Sequence, residues 1–387
     1  MNAKEKDLTY IAHTYGRFPI VIKEGKGSKA YDESGKEYID MSTGIAVNAF
    51  GYCDDVWAEA VNTQLHKIQH TSNLYYTEPC ANLAEILCTR TGMSKVFFSN
   101  SGAEANECAI KAARKYASQK KGEEYYNILT LKNSFHGRTL TTLAATGQDS
   151  FHKDYLPLTP GFIYAEANNI ADLEEKVRGN NIAAIMFELV QGEGGVMPLE
   201  KAFVDKIFEL SEELDIITIV DEVQTGNGRT GALYAFMKYG IKPDVVSTAK
   251  GLGGGLPLGA TLLSEKLSDV FTPGDHGSTF GGNPVCCAGA ISIINRIDDA
   301  LLSEINAKSE YIISELTASK GIEAVDGMGL MLGVTTKRPV DDVVRECMDE
   351  GVLPIKAKQK LRLLPALNIS WDELKEAVKI IKNVCER

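Results

Sequence analysis

Apolar residues in this chain form short runs separated by amphipathic stretches, and the two alternate. The runs Val96–Ser99, Asn127–Leu131, Phe162–Ala165 and Ala183–Leu189 are bounded by polar or turn residues, a pattern that predicts buried strands. Between them, apolar spacing of three and four predicts helices from Ala103 to about Gln119, Ala171 to Val177 and Ala202 to Leu214. Strands alternating with helices predict an α/β fold with a mostly parallel sheet covered on both faces. Before this alternation, the Asp-Glu-Ser-Gly turn in GKGSKAYDESGKEYIDM predicts a hairpin, and helix signals run from Val56 to Arg90. After about Ala290 the rhythm changes. A long helix (Ile291 to Ala318), short strands within Gly321 to Thr335, a helix Val340 to Glu350 and an amphipathic helix Trp371 to Cys385 predict a smaller α+β domain.

The chemistry concentrates between Ile216 and Leu258. The run Ile216–Val220 ends on Asp221 and Glu222, and a second run, Asp244–Thr248, leads to Lys250, followed by Gly251 and glycines 253 to 255. Open α/β sheets place their sites at the carboxyl ends of strands, so a carboxylate and a lysine reach one rim. A lysine ending a buried strand can lose its proton and attack a carbonyl, while glycines let a flat ring approach the backbone. A carboxylate on the neighbouring strand can pair with a protonated ring nitrogen. Together these features point to pyridoxal phosphate.

Other segments supply candidates around that centre. In SNSGAEANE (99–107), Ser101 can cap a helix whose free amides at Gly102 and Ala103 form an anion site, although the same pattern suits an ordinary capped helix. In NSFHGRT (133–139), Phe135 can lie on a ring and Arg138 can hold a carboxylate. ELVQGEGGV (188–196) presents Glu188 and Glu193, and the glycine-dense HGSTFGGNP (276–284) suits close approach to a ligand. Gly226, Gly228 and Gly231 spell a GxGxxG pattern with Asp244 about 20 residues on, the spacing of a dinucleotide site. Asp221, Glu222 and Gln224 intervene before these glycines, and the two carboxylates would repel a pyrophosphate, so the segment reads as a loop.

The net charge of −11 is spread along the chain without basic clusters, which argues against a nucleic-acid surface. No apolar run approaches the roughly 20 residues that span a bilayer, and the polar start of the chain predicts cytoplasmic residence. Eight cysteines without CxxC spacing read as reduced thiols. His66 and His70 stand four residues apart but lack a third ligand, so no metal is expected.

DEVQTGxGRTG followed by AKGLGGGLPLGA resembles the signature of the class III (ω-amino acid) aminotransferases, and the match extends from Tyr15 to Pro365. The resemblance implies the aspartate aminotransferase-like fold (pyridoxal-phosphate fold type I). It implies a large cofactor-binding domain over residues 51–290, a C-terminal small domain over 291–387, and an N-terminal segment, 1–50, that packs with the small domain. It assigns Lys250 to the Schiff base, Asp221 to the ring nitrogen with Glu222 beside it, and Gln224 to the ring hydroxyl. Val223 and Phe135 flank the ring, and Ser101, Gly102 and Ala103 hold the phosphate. Thr279 reaches the cofactor phosphate across a homodimer with shared sites. Arg138, Ser278, Arg362, Glu193 and Tyr15 meet substrate, with Glu193 and a mobile Arg362 switching the site between two substrates. Leu189 departs from the family, which usually has proline there.

The reaction implied is transfer of the distal amino group of N2-acetyl-L-ornithine to 2-oxoglutarate, giving N-acetyl-L-glutamate 5-semialdehyde and L-glutamate, a step of arginine biosynthesis. Gly44 stands where ornithine-specific relatives carry an aromatic residue, which leaves room for an acyl group. Ornithine, succinyl-diaminopimelate, succinylornithine and 4-aminobutyrate are the alternative donors. Further alternatives are another pyridoxal enzyme, such as a racemase, mutase or decarboxylase, and a nicotinamide dehydrogenase.

Overall fold

The computed structural model describes residues 1–387. Seven strands form the central sheet: β1 (Lys95–Ser99), β2 (Asn127–Leu131), β3 (Phe162–Ala165), β4 (Ile182–Phe187), β5 (Ile217–Asp221), β6 (Val245–Thr248) and β7 (Gly259–Leu263). Their order is β1-β7-β6-β5-β4-β2-β3, and only β7 runs antiparallel to its neighbours. Every residue of β4, β5, β6 and β7 is buried, which is why these segments read as continuous apolar runs rather than alternating ones.

Both faces of the sheet are covered. Ile217 and Ile219 of β5 pack with Ala109, Ala112 and Ala113 of the helix Gly102–Lys121. The alternate residue Val220 joins the main core, which includes Phe203, Val204 and Ile207 of the helix Lys201–Leu214. Small alanines let the first helix lie close to the sheet.

Near the N-terminus, strands Ile22–Lys26, Lys29–Asp32 and Glu37–Asp40 form an antiparallel meander. The last of these pairs in parallel with Val352–Leu353 near the other end of the chain. A further antiparallel sheet is built from Ile322–Met328, Met331–Thr336, Lys360–Leu363 and Ile355–Ala357, in that spatial order. No helix is long and apolar enough to cross a membrane.

Two expectations change. The long helix from Ile291 to Ala318 is two helices, Pro284–Ile294 and Asp299–Thr317, because Asp298 caps a new start by accepting from the Leu301 amide at 2.8 Å. Strand β7, directly after the glycine-rich segment, was not anticipated.

Candidate active site

The carboxyl ends of β4, β5 and β6 and the start of the helix Gly102–Lys121 converge on a cavity of about 440 Å³. Asp221 is the last residue of β5 and pairs in register with Ser247 on β6. Lys250 follows the end of β6 by two residues. Its φ of +45° is left-handed, a conformation that costs on the order of 1 kcal/mol or more for a residue with a Cβ. The surrounding turn, closed by Gly253 N–H donating to the Lys250 carbonyl at 3.1 Å, holds it there. Burial lowers the Lys250 ammonium below the ordinary lysine range, opposed by Glu193 and reinforced by Arg362.

A polar network fixes Asp221. Its Oδ2 accepts from Asn106 Nδ2 at 2.8 Å and lies 2.8 Å from His136 Nδ1, and its Oδ1 accepts from the Val223 amide at 3.0 Å. An ionised carboxylate only accepts, so the His136 proton belongs on Nδ1. Asn106 is locked in turn by donating to the His136 carbonyl at 2.7 Å. Glu188 lies beside this group, accepting from the Phe135 amide at 2.9 Å and the Gly192 amide at 3.1 Å. Burial pushes its carboxyl up to about 7; His136 opposes the shift and Asp221 adds to it.

Most of the residues singled out in the sequence line this cavity: Ser101, Gly102 and Ala103 on one side, Phe135 and Arg138 on another, with Asp221, Val223, Gln224 and Lys250 at its base. Arg138 lies over the Phe135 and Phe151 rings, 5.7 and 4.6 Å from their centroids. Arg362, buried, reaches the cavity through Gln224: its Nη1 donates to Gln224 Oε1 at 3.2 Å and to Glu193 Oε1 at 2.5 Å. Its Nε is buried without a partner.

Four residues lie elsewhere. Glu222 is turned away from the cavity, its carboxylate accepting from the Phe236 amide at 2.7 Å and the Thr225 hydroxyl at 2.5 Å. Adjacent residues at a strand end point to opposite sides, so Asp221 and Glu222 cannot both face the cavity. Ser278 is at the rim, where its Oγ accepts from the cavity-lining Asn100 at 3.1 Å. Thr279 is exposed, and Tyr15 is 73% exposed on the N-terminal segment, under Arg17. Asn106 and His136 were missed; both lie inside quoted motifs, but the long-range pairing that brings them to Asp221 is not visible locally.

Burial also pushes Glu222 up to about 7. A folded-state pKa above the ordinary carboxylate value means that the native state binds the proton more tightly, so stability falls as pH rises from about 4.5 to 7. Glu222→Gln keeps an acceptor for Phe236 and cannot ionise. The variant is expected to match the wild type near pH 5 and to exceed it above pH 7 by on the order of 2–3 kcal/mol, read from urea unfolding at both pH values. Parallel pH dependence in the two proteins would overturn this.

The residues present fit a planar, phosphorylated pyridine. First-turn helix amides have no intrahelical acceptor, so Gly102 and Ala103 offer donors to a phosphate. A Cβ at Gly102 would lie 2.6 Å from Val223 Cγ1, so only glycine admits the close approach seen here. In the same cavity, the Asp221 carboxylate could accept from a ring N–H and the Lys250 amine could take an aldehyde.

The comparisons agree with this geometry. Residues 10–385 match the family described as aminotransferase class-III. The chain is 46% identical over 383 residues to the acetylornithine aminotransferase of Haemophilus ducreyi, covering 98% of each chain. Its structure is similar to that of the ornithine aminotransferase of Toxoplasma gondii (TM-score 0.94, 29% identity, 100% of this chain and 95% of that one). It is also similar to the N-acetylornithine aminotransferase of Stenotrophomonas maltophilia (TM-score 0.84, 32% identity, 96% of each). With the full-length match and the site geometry in agreement, the chain belongs to the class-III aminotransferases.

Proposed function

We propose that this enzyme transfers the distal amino group of N2-acetyl-L-ornithine to 2-oxoglutarate with pyridoxal phosphate held in the cavity. The observation that carries the reading is the meeting of Lys250 and Asp221 in one cavity with the Arg362–Glu193 pair at its edge. When bound, pyridoxal phosphate supplies the electron sink for breaking the C–H bond beside the transferred amine.

Lys250 Nζ, its pKa lowered by burial, would hold the cofactor through its aldehyde carbon, and its amine, when free, would carry a proton to and from the substrate carbon. Asp221, oriented by Asn106 and His136, would hold the proton on the ring nitrogen. Gly102, Ala103 and Ser101 would hold the phosphate, Val223 and Phe135 would pack against the ring, and Gln224 would serve the ring hydroxyl. Arg138 takes the donor's carboxylate. Arg362 stays paired with Glu193 while the donor reacts and turns to the α-carboxylate of glutamate or 2-oxoglutarate in the second half, so one cavity serves both substrates. Ser278 and Thr279 complete the site across a homodimer. The exposure of Leu74, Tyr75, Tyr76 and Phe280 supports that assembly, since these large side chains have little cover within the chain and a second copy would supply it.

The visible spectrum of the purified enzyme tests this. N-acetylornithine should bleach the bound cofactor's absorbance and 2-oxoglutarate should restore it, and the protein should sediment at twice the 42.1 kDa of the chain. Faster bleaching by ornithine or 4-aminobutyrate would reassign the donor, and a monomer active at all concentrations would remove the shared site. A protein that stays colourless with added pyridoxal phosphate would overturn the cofactor reading.

A further inference from the structure

The glycine pattern 226–231, which resembles a dinucleotide loop in sequence, does something else in the structure. It docks against the C-terminal part of the chain. A Cβ on Gly228 would lie 3.1 Å from Leu367, and one on Gly231 would collide with Asn306 Oδ1 at 2.2 Å. Between them sits Arg229, 2% exposed and lacking a salt-bridge partner. Its Nη1 donates to the carbonyls of Pro365 at 2.5 Å and Leu330 at 3.1 Å, and its own carbonyl accepts from the Leu330 amide at 2.9 Å. Burial pulls this guanidinium down to about 9, with Asp40 opposing the shift, so it remains charged at neutral pH.

Pro365 lies three residues beyond Arg362. The intervening Leu364 is gripped by a second segment: its carbonyl accepts from the Thr43 hydroxyl at 2.6 Å and its amide donates to the Met41 carbonyl at 2.7 Å. Asp40 Oδ1 in turn accepts from the amides of Ser42 (2.8 Å) and Thr43 (3.0 Å), which fixes the second grip. The segment that carries Arg362 is therefore held twice, at Pro365 by Arg229 of the loop after β5 and at Leu364 by Met41 and Thr43, which follow the N-terminal strand Glu37–Asp40. Spending a buried charge on two carbonyls is costly unless the geometry it sets matters.

We infer that Arg229 is a positioning residue that sets the register of the Arg362 segment against Glu193 and Gln224, and so selects for the dicarboxylate half of the reaction. The inference rests on Arg362 being the dicarboxylate's partner, as proposed above. Arg229 touches no substrate; it acts through Pro365 and Leu330.

The test uses the holoenzyme with Arg229→Met, Arg229→Lys, Thr43→Val and Arg362→Ala. The readouts are kcat and KM for each substrate and the Kd for glutarate, a dicarboxylate that cannot react, by calorimetry. Arg229→Met should raise the 2-oxoglutarate KM and the glutarate Kd roughly ten- to hundredfold, as small displacements of a binding group do. Saturating kcat and the N-acetylornithine KM should stay within about threefold, and Arg229→Lys should recover part of the loss. Thr43→Val, which removes one hydroxyl from the other grip, should give a smaller rise of about threefold to fivefold and keeps the test open if Arg229→Met does not fold. Unchanged dicarboxylate constants in the Arg229 or Thr43 variants would overturn the inference. So would an equal rise for both substrates with loss of cofactor absorbance, the mark of a merely structural role. If Arg362→Ala leaves the 2-oxoglutarate KM unchanged, the assignment of Arg362 fails, and the inference fails with it. A large effect from Arg362→Ala with none from Arg229 faults the clamp alone.

Discussion

Replacing Lys250 with alanine is expected to reduce turnover by at least about 10³-fold while leaving a folded protein that still takes up pyridoxal phosphate without a covalent bond. The size of the effect follows from the cavity's composition. Lys250 is the one amine lining it, and the guanidinium groups of Arg138 and Arg362 have donors only, with no lone pair free to attack an aldehyde. No other side chain there can both attack an aldehyde and return a proton to carbon. Structural damage should be slight, because Lys250 is in no salt bridge and its removal strands no carboxylate partner; its neighbours Asp221, Glu188 and Glu193 keep their own hydrogen bonds. Alanine is also strained at φ +45°, so relief of backbone strain will not mask the result. The checks are single-turnover rates with N-acetylornithine, the cofactor's absorbance and the unfolding temperature. Turnover above about a hundredth of wild type would remove Lys250 from the chemistry.

Asp221→Asn is expected to lower kcat by roughly 10²- to 10³-fold with KM for both substrates within a few-fold. The substitution is nearly isosteric. An amide oxygen at the Oδ2 position can keep the bonds from Asn106 and His136, whereas the amide nitrogen at the Oδ1 position faces the Val223 amide and loses that bond. What disappears is the negative charge that makes a ring N–H stable. The expected signature is a rate loss in both half-reactions, since both need the same electron sink, together with a normal unfolding temperature. A variant impaired only with N-acetylornithine would point to a substrate contact instead.

The fold was readable where local pattern and tertiary environment coincide. Strands β4, β5 and β6 are buried on both faces, so their composition declares them, and the residues at their carboxyl ends, Asp221 and Lys250, follow. Glu222 was legible too, since period-two alternation already turns it from its neighbour, but adjacency to Asp221 made it look like part of the site. Asn106 and His136 are different. They lie 115 and 85 residues from Asp221; the packing of the helix Gly102–Lys121 on the sheet brings Asn106 to its carboxylate, and the strand order brings the loop after β2, which carries His136. The break between the two helices after Pro284 depends on one capping side chain, Asp298, within an apolar pattern that otherwise continues. Ser278 and Thr279 stay outside the cavity of their own chain, which local sequence cannot reveal.

The lone antiparallel strand has a consequence for how the molecule is made. β1, which leads directly into the turn before the helix Gly102–Lys121, is an edge strand whose sole hydrogen-bonded neighbour is β7, with Ser99 opposite Gly259. As the chain emerges from the ribosome, β1 and its helix start therefore have no lateral partner until residues 259–263 have been synthesised and threaded between β1 and β6. Closing so long a loop is entropically slow, and contacts of this separation form late. The nascent chain can assemble β2 to β6 first, so within the central sheet the turn proposed to hold the phosphate is the part completed last.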